Sequence, residues 1–376
     1  MNENPIHYSR VLGSLEGLRR GITSGTCAQA AAAAAARMLL SGEVVTDVEI
    51  TLKDGRLISI PVVNPQIRKG AVSCGVIKDA GDDDDVTHQL EFRAEVQFSG
   101  KPGVEILAGT GVGRVTKAGL PVLPGEPAVN PNPRRCIIRE LSALAPAESG
   151  FQVTLSIPEG EKIAGQTWNP RLGIEGGLSI LGTSGVVEPK SDKAYRASIV
   201  LALKVLRASG ADTAALAFGY VGEGYFSRSR GWGEDRVVKV GDHIGFAMDS
   251  AAKQGFPNIA VAGHVGKMAK VASGLFDTHW TSGDARLETV AAWASAAGGT
   301  PEDARAILDL PTAEAAVGYL ADRKLNNAWS LMNRRLLERC RLRFKRNGHK
   351  VAFESVLLDL QGHELTADTI LMEDEE

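Results

Sequence analysis

From Leu178 onward the chain repeats one rhythm: a short apolar run, a loop, then a stretch of helical length. Thr213–Phe218, Arg236–Val240 and Asn258–Ala262 have the length and apolarity of buried strands. Ser191–Ala208, His243–Gln254 and Lys267–Ser273 read as the intervening helices, the first opened by a capping-type Ser191 and an acidic Asp192. A helix between two strands carries the chain back across the sheet, so the strands run parallel. The pattern therefore predicts an α/β domain with helices on a largely parallel sheet, and ligands bind such sheets at the carboxyl ends of the strands. Ala285–Ala297 and Pro301–Leu320 add helices, Val351–Asp359 adds a late strand, and the acidic tail Glu373–Glu376 is expected to fray.

The first part reads differently, as mixed α and β. Thr26–Leu40 is an Ala-rich helix, and Val48–Leu52 with Leu57–Val63 suggests a hairpin around Lys53-Asp54-Gly55. Leu90–Phe98 and Phe151–Ile157 read as strands and Arg135–Leu144 as a helix, while Gly100–Pro133 is too dense in Gly and Pro for helix. The chain of 376 residues suits two domains. The boundary falls between Arg139 and Gly176, giving 1–150 and 151–376.

Net charge is −3 and aromatic residues make up only 5%, so neither a basic field nor a stacking surface for nucleic acid is expected. Cys27, Cys74, Cys136 and Cys340 are far apart and form no CxxC. Reduced thiols in a cytoplasm are expected, with no zinc site and no resident metal. Met1–Arg20 lacks the apolar core of a signal peptide, and Ala28–Leu40 is too short to span a bilayer and carries Arg37. A soluble protein with no membrane partner is the expectation.

Several segments carry chemistry. Gly21-Ile-Thr-Ser-Gly-Thr-Cys27 leads into the Ala-rich helix, with Thr23, Ser24 and Thr26 at its start and Arg19 and Arg20 before it. Such a start is either an anion site or a plain N-cap. Asp79-Ala-Gly-Asp-Asp-Asp-Asp-Val-Thr-His88 demands water or a cation, and its spacing is wrong for an EF-hand. Gly109-Thr-Gly-Val-Gly113 is followed by breakers rather than a helix, which excludes a dinucleotide fingerprint. Arg114, Lys117, Arg134 and Arg135 give that region guanidinium and ammonium groups suited to carboxylates. The glycine run that includes Gly177, Gly182 and Gly185, together with Thr183, Ser184 and Glu188, is denser than one turn needs and favours a ligand. Gly263-His-Val-Gly-Lys267 places His264 and Lys267 at a helix start as an anion pocket, without Walker spacing. His279 is a candidate acid or base.

Taken in order, these words resemble the cobalt-precorrin-5B C1-methyltransferase family, CbiD. They include Asp85-Val-Thr-His88, Gly111-Val-Gly-Arg-Val-Thr-Lys117, Gly125-Glu-Pro-Ala-Val-Asn-Pro-Asn-Pro-Arg-Arg135, Asn169-Pro-Arg-Leu-Gly173, Ser179-Ile-Leu-Gly-Thr-Ser-Gly-Val-Val-Glu-Pro189 and Ile244-Gly-Phe246. The chain departs from the family's pattern at Phe218–Gly222, at Asp242-His243 and at Trp280. The resemblance implies an α+β first domain like domain 2 of ribosomal protein S5, followed by a three-layer α/β domain. It implies methylation of C-1 of cobalt-precorrin-5B by S-adenosylmethionine, giving cobalt-precorrin-6A in anaerobic cobalamin biosynthesis. In that frame Gly177, Gly182, Thr183, Ser184, Gly185 and Glu188 lie on the donor. Thr23, Ser24, Thr26, Arg134, Arg135, His264 and Lys267 hold the acidic corrinoid, and His279 manages protons. Homo-oligomerisation and contact with other enzymes of the pathway stay open. Two rivals also stay open: a small-molecule kinase on an S5-related domain, and a noncatalytic corrinoid carrier.

Overall fold

The computed structural model describes residues 8–145 and 149–371, so the acidic tail Glu373–Glu376 lies outside the described residues. The chain divides into two units, Met1–Asp192 and Lys193–Glu376.

The first unit is built on helix α1, Ser24–Ser41. Thr23 caps it through Oγ1, which accepts from the Thr26 N–H, and Gly42 closes it in a left-handed conformation. Between the caps, Ala28–Ala36 is interrupted only by Gln29. Alanine loses no side-chain entropy in a helix and lets neighbours approach the backbone on every side. That is how α1 is used, because Ser24 to Ala36 are all buried. Short β1, Gly21–Ile22, leads into α1, and the hairpin β2, Asp47–Thr51, with β3, Leu57–Pro61, packs beside it. Then come β4, Val63–Arg68, β5, Ala71–Ile77, β6, Glu91–Ser99, and β7, Val104–Ala108. Helix α2, Pro131–Ser142, packs against α1, and β8 runs from Gly150 to Ser156. The sheet order is β4-β5-β6-β8-β7, antiparallel except for the parallel β8–β7 pair.

The expected boundary at 150/151 moves to 192/193. The reason is pairing. Strand β8 is an interior strand of the first unit's sheet, between β6 and β7, and the short strands after it return to earlier ones. Gly177–Leu178 pairs with Gly111–Val112, and β9, Val186–Val187, pairs antiparallel with β1.

The second unit opens with α3, Asp192–Ala208, β10, Thr213–Ala217, and α4, Gly219–Arg230. It continues with β11, Val237–Lys239, α5, Ile244–Lys253, β12, Asn258–His264, and α6, Val265–Ser273. Helices α7, Arg286–Ala296, α8, Pro301–Leu308, α9, Ala315–Asp322, and α10, Asn327–Arg346, precede β13, Ala352–Leu358, and β14, Glu364–Ile370. The sheet order is β11-β10-β12-β13-β14, parallel throughout except for the antiparallel β14 edge. Alternation within the strands makes the layers. Ala214, Leu216, Ile259 and Val261 face the large core under α3, α5, α6 and α10, whereas Ala215, Ala217, Ala260 and Ala262 face α4. The expected single helix Pro301–Leu320 is two helices, because Pro311 follows the first and cannot continue it.

Candidate functional site

Three segments meet at the start of α1. The Gly25 N–H donates to the Leu181 carbonyl (2.8 Å), and the Thr23 N–H donates to the Gly185 carbonyl (3.1 Å). Ser24 Oγ donates to the Leu181 carbonyl and accepts from the Leu181 N–H, at 3.1 and 2.9 Å. Thr26 Oγ1 donates to the Gly185 carbonyl at 2.6 Å. That commits the Thr26 proton, so in the 3.0 Å contact between the two threonine hydroxyls Thr23 is the donor. From α2, Asn132 Nδ2 donates to the carbonyls of Gly182 (3.0 Å) and Thr183 (3.2 Å).

The Leu181–Gly185 turn is thus tied down by both helices. Gly182 and Gly185 have φ of 144° and 90°. A Cβ on Gly182 would lie 2.3 Å from Thr23 Oγ1, and one on Gly185 would lie 2.9 Å from a Leu52 methyl. Packing against α1 and β2 therefore accounts for glycine at both places. Ser184 is held within the turn, donating to the Val186 carbonyl at 3.0 Å, and Glu188 lies 3.8 Å from Arg20.

Beside this junction opens a cleft of about 250 Å³, counting the space at its mouth. Thr23, Thr26, Gly182, Ser184 and Gly185 line it, which brings part of the expected corrinoid set and part of the expected donor set into one place. Gly177 is not part of this lining; it lies against Gly111, with which it pairs. The hydroxyls of Thr23, Ser24 and Thr26 and the N–H of Gly25 already face protein acceptors. Gln29, Lys53, Asn132 and Cys136 also line the cleft, and sequence reasoning missed them. One signal was available for Gln29, the lone polar residue in an alanine run that is buried all round.

The acidic segment finds its cations inside the protein. Arg19 forms a two-pronged pair with Asp79, which also accepts from Tyr8 Oη at 3.1 Å. The buried Lys78 ammonium contacts Asp85 and Thr87. Burial works to raise the Asp79 and Asp85 carboxyls. The Arg19 partner and the Lys78 charge outweigh it and hold both below the usual carboxylate range. On α2, Arg134 pairs with Glu126 at 3.1 Å, whereas exposed Arg135 has no ionic partner among the described residues.

In the second unit, Lys267 pairs with Asp242 after β11, and Thr278 Oγ1 donates to the same carboxylate at 2.8 Å. Burial of Asp242 is outweighed by these two donors, so its carboxyl lies below the usual range. Lys267 is consequently half of an ion pair. His264 caps α6: its Nδ1 accepts from the Gly266 N–H at 3.1 Å, which places the ring proton on Nε2, 2.8 Å from Glu314. His279 is exposed, with Nδ1 2.7 Å from Thr281 Oγ1 and Nε2 without a protein partner among the described residues.

The CbiD family profile matches residues 13–189, and the profile of the CbiD C-terminal domain matches residues 277–369. A protein of Thermoanaerobacter sp. (strain X514), named cobalt-precorrin-5B C(1)-methyltransferase, is 41% identical over 309 residues. The alignment covers 82% of this chain and 84% of that protein. The chain belongs to the CbiD family. A relative of the same name from Moorella thermoacetica is 43% identical, over 79% of this chain and 81% of its own. A crystal structure of a cobalamin biosynthesis protein (cbiD) from Archaeoglobus fulgidus is 30% identical, covers 69% of this chain and 82% of its own, and superposes with a TM-score of 0.37. At that score it carries no weight in the description of the fold. The first CbiD profile spans every residue of the cleft, while Asp242, His264 and Lys267 lie between the two profiles.

Proposed function

We propose that this protein transfers the methyl group of S-adenosylmethionine to C-1 of cobalt-precorrin-5B, giving cobalt-precorrin-6A in anaerobic cobalamin biosynthesis. What carries the reading is a match over 82% of the chain to a relative that bears the name of that activity. The reaction takes place in the cytoplasm, and the four thiols are free. In the same reading the first unit has the fold of ribosomal protein S5 domain 2, supported by one central helix packed on a five-stranded sheet.

The donor supplies an already activated methyl group on a sulfonium. Ring electrons at C-1 form the new C–C bond, and the sulfur keeps the pair of the broken C–S bond, leaving S-adenosylhomocysteine. The protein's task is to align the two reactants and keep water out, and alignment alone can contribute roughly 7–11 kcal/mol. Gly182, Thr183, Ser184 and Gly185, with Gly177 and Glu188 on either side, form the donor-binding segment. At the cleft that Gly182, Ser184 and Gly185 border, the helix-start hydroxyls and the Gly25 N–H that would draw an anion are spent on Leu181, Gly185 and each other.

The corrinoid carries acetate and propionate arms. In the first unit Arg135 is the group ready to meet one, and Arg134 must first exchange Glu126 for it. In the second unit Lys267 and His264 are the carboxylate-binding candidates, each exchanging a carboxylate it already holds. His279 Nε2 is the candidate for proton handling.

The test is incubation with cobalt-precorrin-5B and S-adenosylmethionine labelled in its methyl group. Label at C-1 with equimolar S-adenosylhomocysteine is expected. Release of ADP from ATP would favour a kinase, and corrinoid binding with no methyl gain in mass would favour a carrier.

A further inference from the structure

The cleft beside α1 has a consistent polarity. Gln29 is only 3% exposed, yet its side chain reaches the lining. Its Nε2 donates to the Thr51 carbonyl (3.3 Å) and to Glu140 Oε1 (2.9 Å). Two acceptors fix which end of the amide is nitrogen, so Oε1 is the group left over, with no partner among the described residues. Asn132 repeats the arrangement. Its Nδ2 is spent on the Gly182 and Thr183 carbonyls, which leaves Oδ1. The cleft therefore offers two fixed acceptors and, on its exposed rim, one cation, Lys53, with no ionic partner among the described residues.

We propose that this cleft binds the α-amino acid end of the methyl donor, with the ammonium on Gln29 Oε1 and Asn132 Oδ1 and the carboxylate on Lys53. The assignment rests on the donor reading above and adds residues to it. A zwitterion matches a site with acceptors inside and a cation at the edge. Glu140, behind Gln29, is paired with Arg139 at 3.3 Å, so the oriented amide oxygens rather than a net charge carry the preference.

Calorimetry on the full chain with S-adenosylhomocysteine and with 5′-methylthioadenosine, the same thioether nucleoside without the amino acid end, tests this. Gln29→Met is expected to weaken S-adenosylhomocysteine about 10- to 100-fold, the size of one lost charged hydrogen bond, and to leave methylthioadenosine unchanged. Lys53→Ala, an exposed change that keeps the fold, is expected to weaken S-adenosylhomocysteine several-fold, again selectively. S-adenosylhomocysteine should also protect Cys136, the one cysteine on the cleft, from a thiol reagent. If wild type binds S-adenosylhomocysteine but Lys53→Ala binds it equally well and Cys136 is not protected, the assignment falls and the donor reading stands. If wild type binds neither compound, the donor reading falls as well.

Discussion

Replacing Gly182 by alanine tests whether that glycine serves the packing of the chain. The new methyl would meet three Thr23 side-chain atoms, at 2.3, 2.6 and 2.9 Å, on a backbone with φ of 144°. Holding a non-glycine residue there costs about 1–3 kcal/mol, and relieving the overlap costs about 1–3 kcal/mol more. The start of α1 should then open about 2–6 kcal/mol more easily. Cys27 reports on this opening. It lies four residues beyond Thr23, fully buried, and burial pushes its thiol up to about 12, so the closed form does not react. When reclosing is fast, labelling follows the open population. Its rate, read by mass spectrometry of the Cys27 peptide, should rise by about 30-fold to about 20,000-fold. Thr23→Gly supplies the control, because glycine at an N-cap costs only a few tenths of a kcal/mol and removes all three clashing atoms. In that background Gly182→Ala should keep only the backbone cost of about 1–3 kcal/mol. An equal acceleration in both backgrounds, or one below about threefold in wild type, would refute the packing explanation.

Lys78→Met leaves Asp85 partly buried and uncompensated, and should destabilise the first unit by about 3–5 kcal/mol; urea unfolding measures this, and adding Asp85→Asn should recover part of the loss. Asp79 and Asp85 have carboxyls lowered by folding. Their contribution is therefore complete above the unfolded value of about 3.9 and is lost as pH falls through it towards the folded values. Urea midpoints should drop below about pH 4, with a shallower slope in Asp85→Asn. Arg135→Ala should weaken corrinoid binding and reduce its dependence on salt, and Arg134→Ala should do less because Glu126 already engages that guanidinium; unchanged affinity across a salt series for both would remove them from the corrinoid site.

Elements whose formation depends on local pattern were legible. The parallel strands Thr213–Ala217 and Asn258–His264 are apolar on both faces because helices cover both, and the residues before and after them carry ordinary turn and capping signals. Helix α4 was not legible. It begins Gly219-Tyr-Val-Gly222, a sequence of poor helix formers, and it forms because Val221, Tyr225 and Phe226 lie against the alanine face of the sheet. Strands β4 and β5 hide for a similar reason. Pro65 interrupts the first, where the pairing register shifts between Val63 and Gln66, and the second is nearly all buried rather than alternating. The domain boundary was missed because it depends on where Gly177–Leu178 and Val186–Val187 pair, and two-residue strands have no periodicity to read.

Residue types singled out the segments around Thr23 and Gly182 that the structure brings together, but not how their hydroxyls and N–H groups are used. Hydroxyls and N–H groups at a helix start attract anions only while they are unspent. Here the Leu181–Gly185 carbonyls occupy them, from 157 residues further along in the case of Ser24 and Leu181, a distance no spacing rule spans. Two other carbonyls of the same turn, those of Gly182 and Thr183, capture the Asn132 amide nitrogen, and Glu140 captures that of Gln29. Each captured donor turns an amide into an acceptor directed elsewhere, so satisfying the backbone at this junction is what sets the polarity of the cleft beside it. A carboxylate entering there meets none of the helix-start hydroxyls unspent, whereas an ammonium finds amide acceptors whose orientation folding has already fixed.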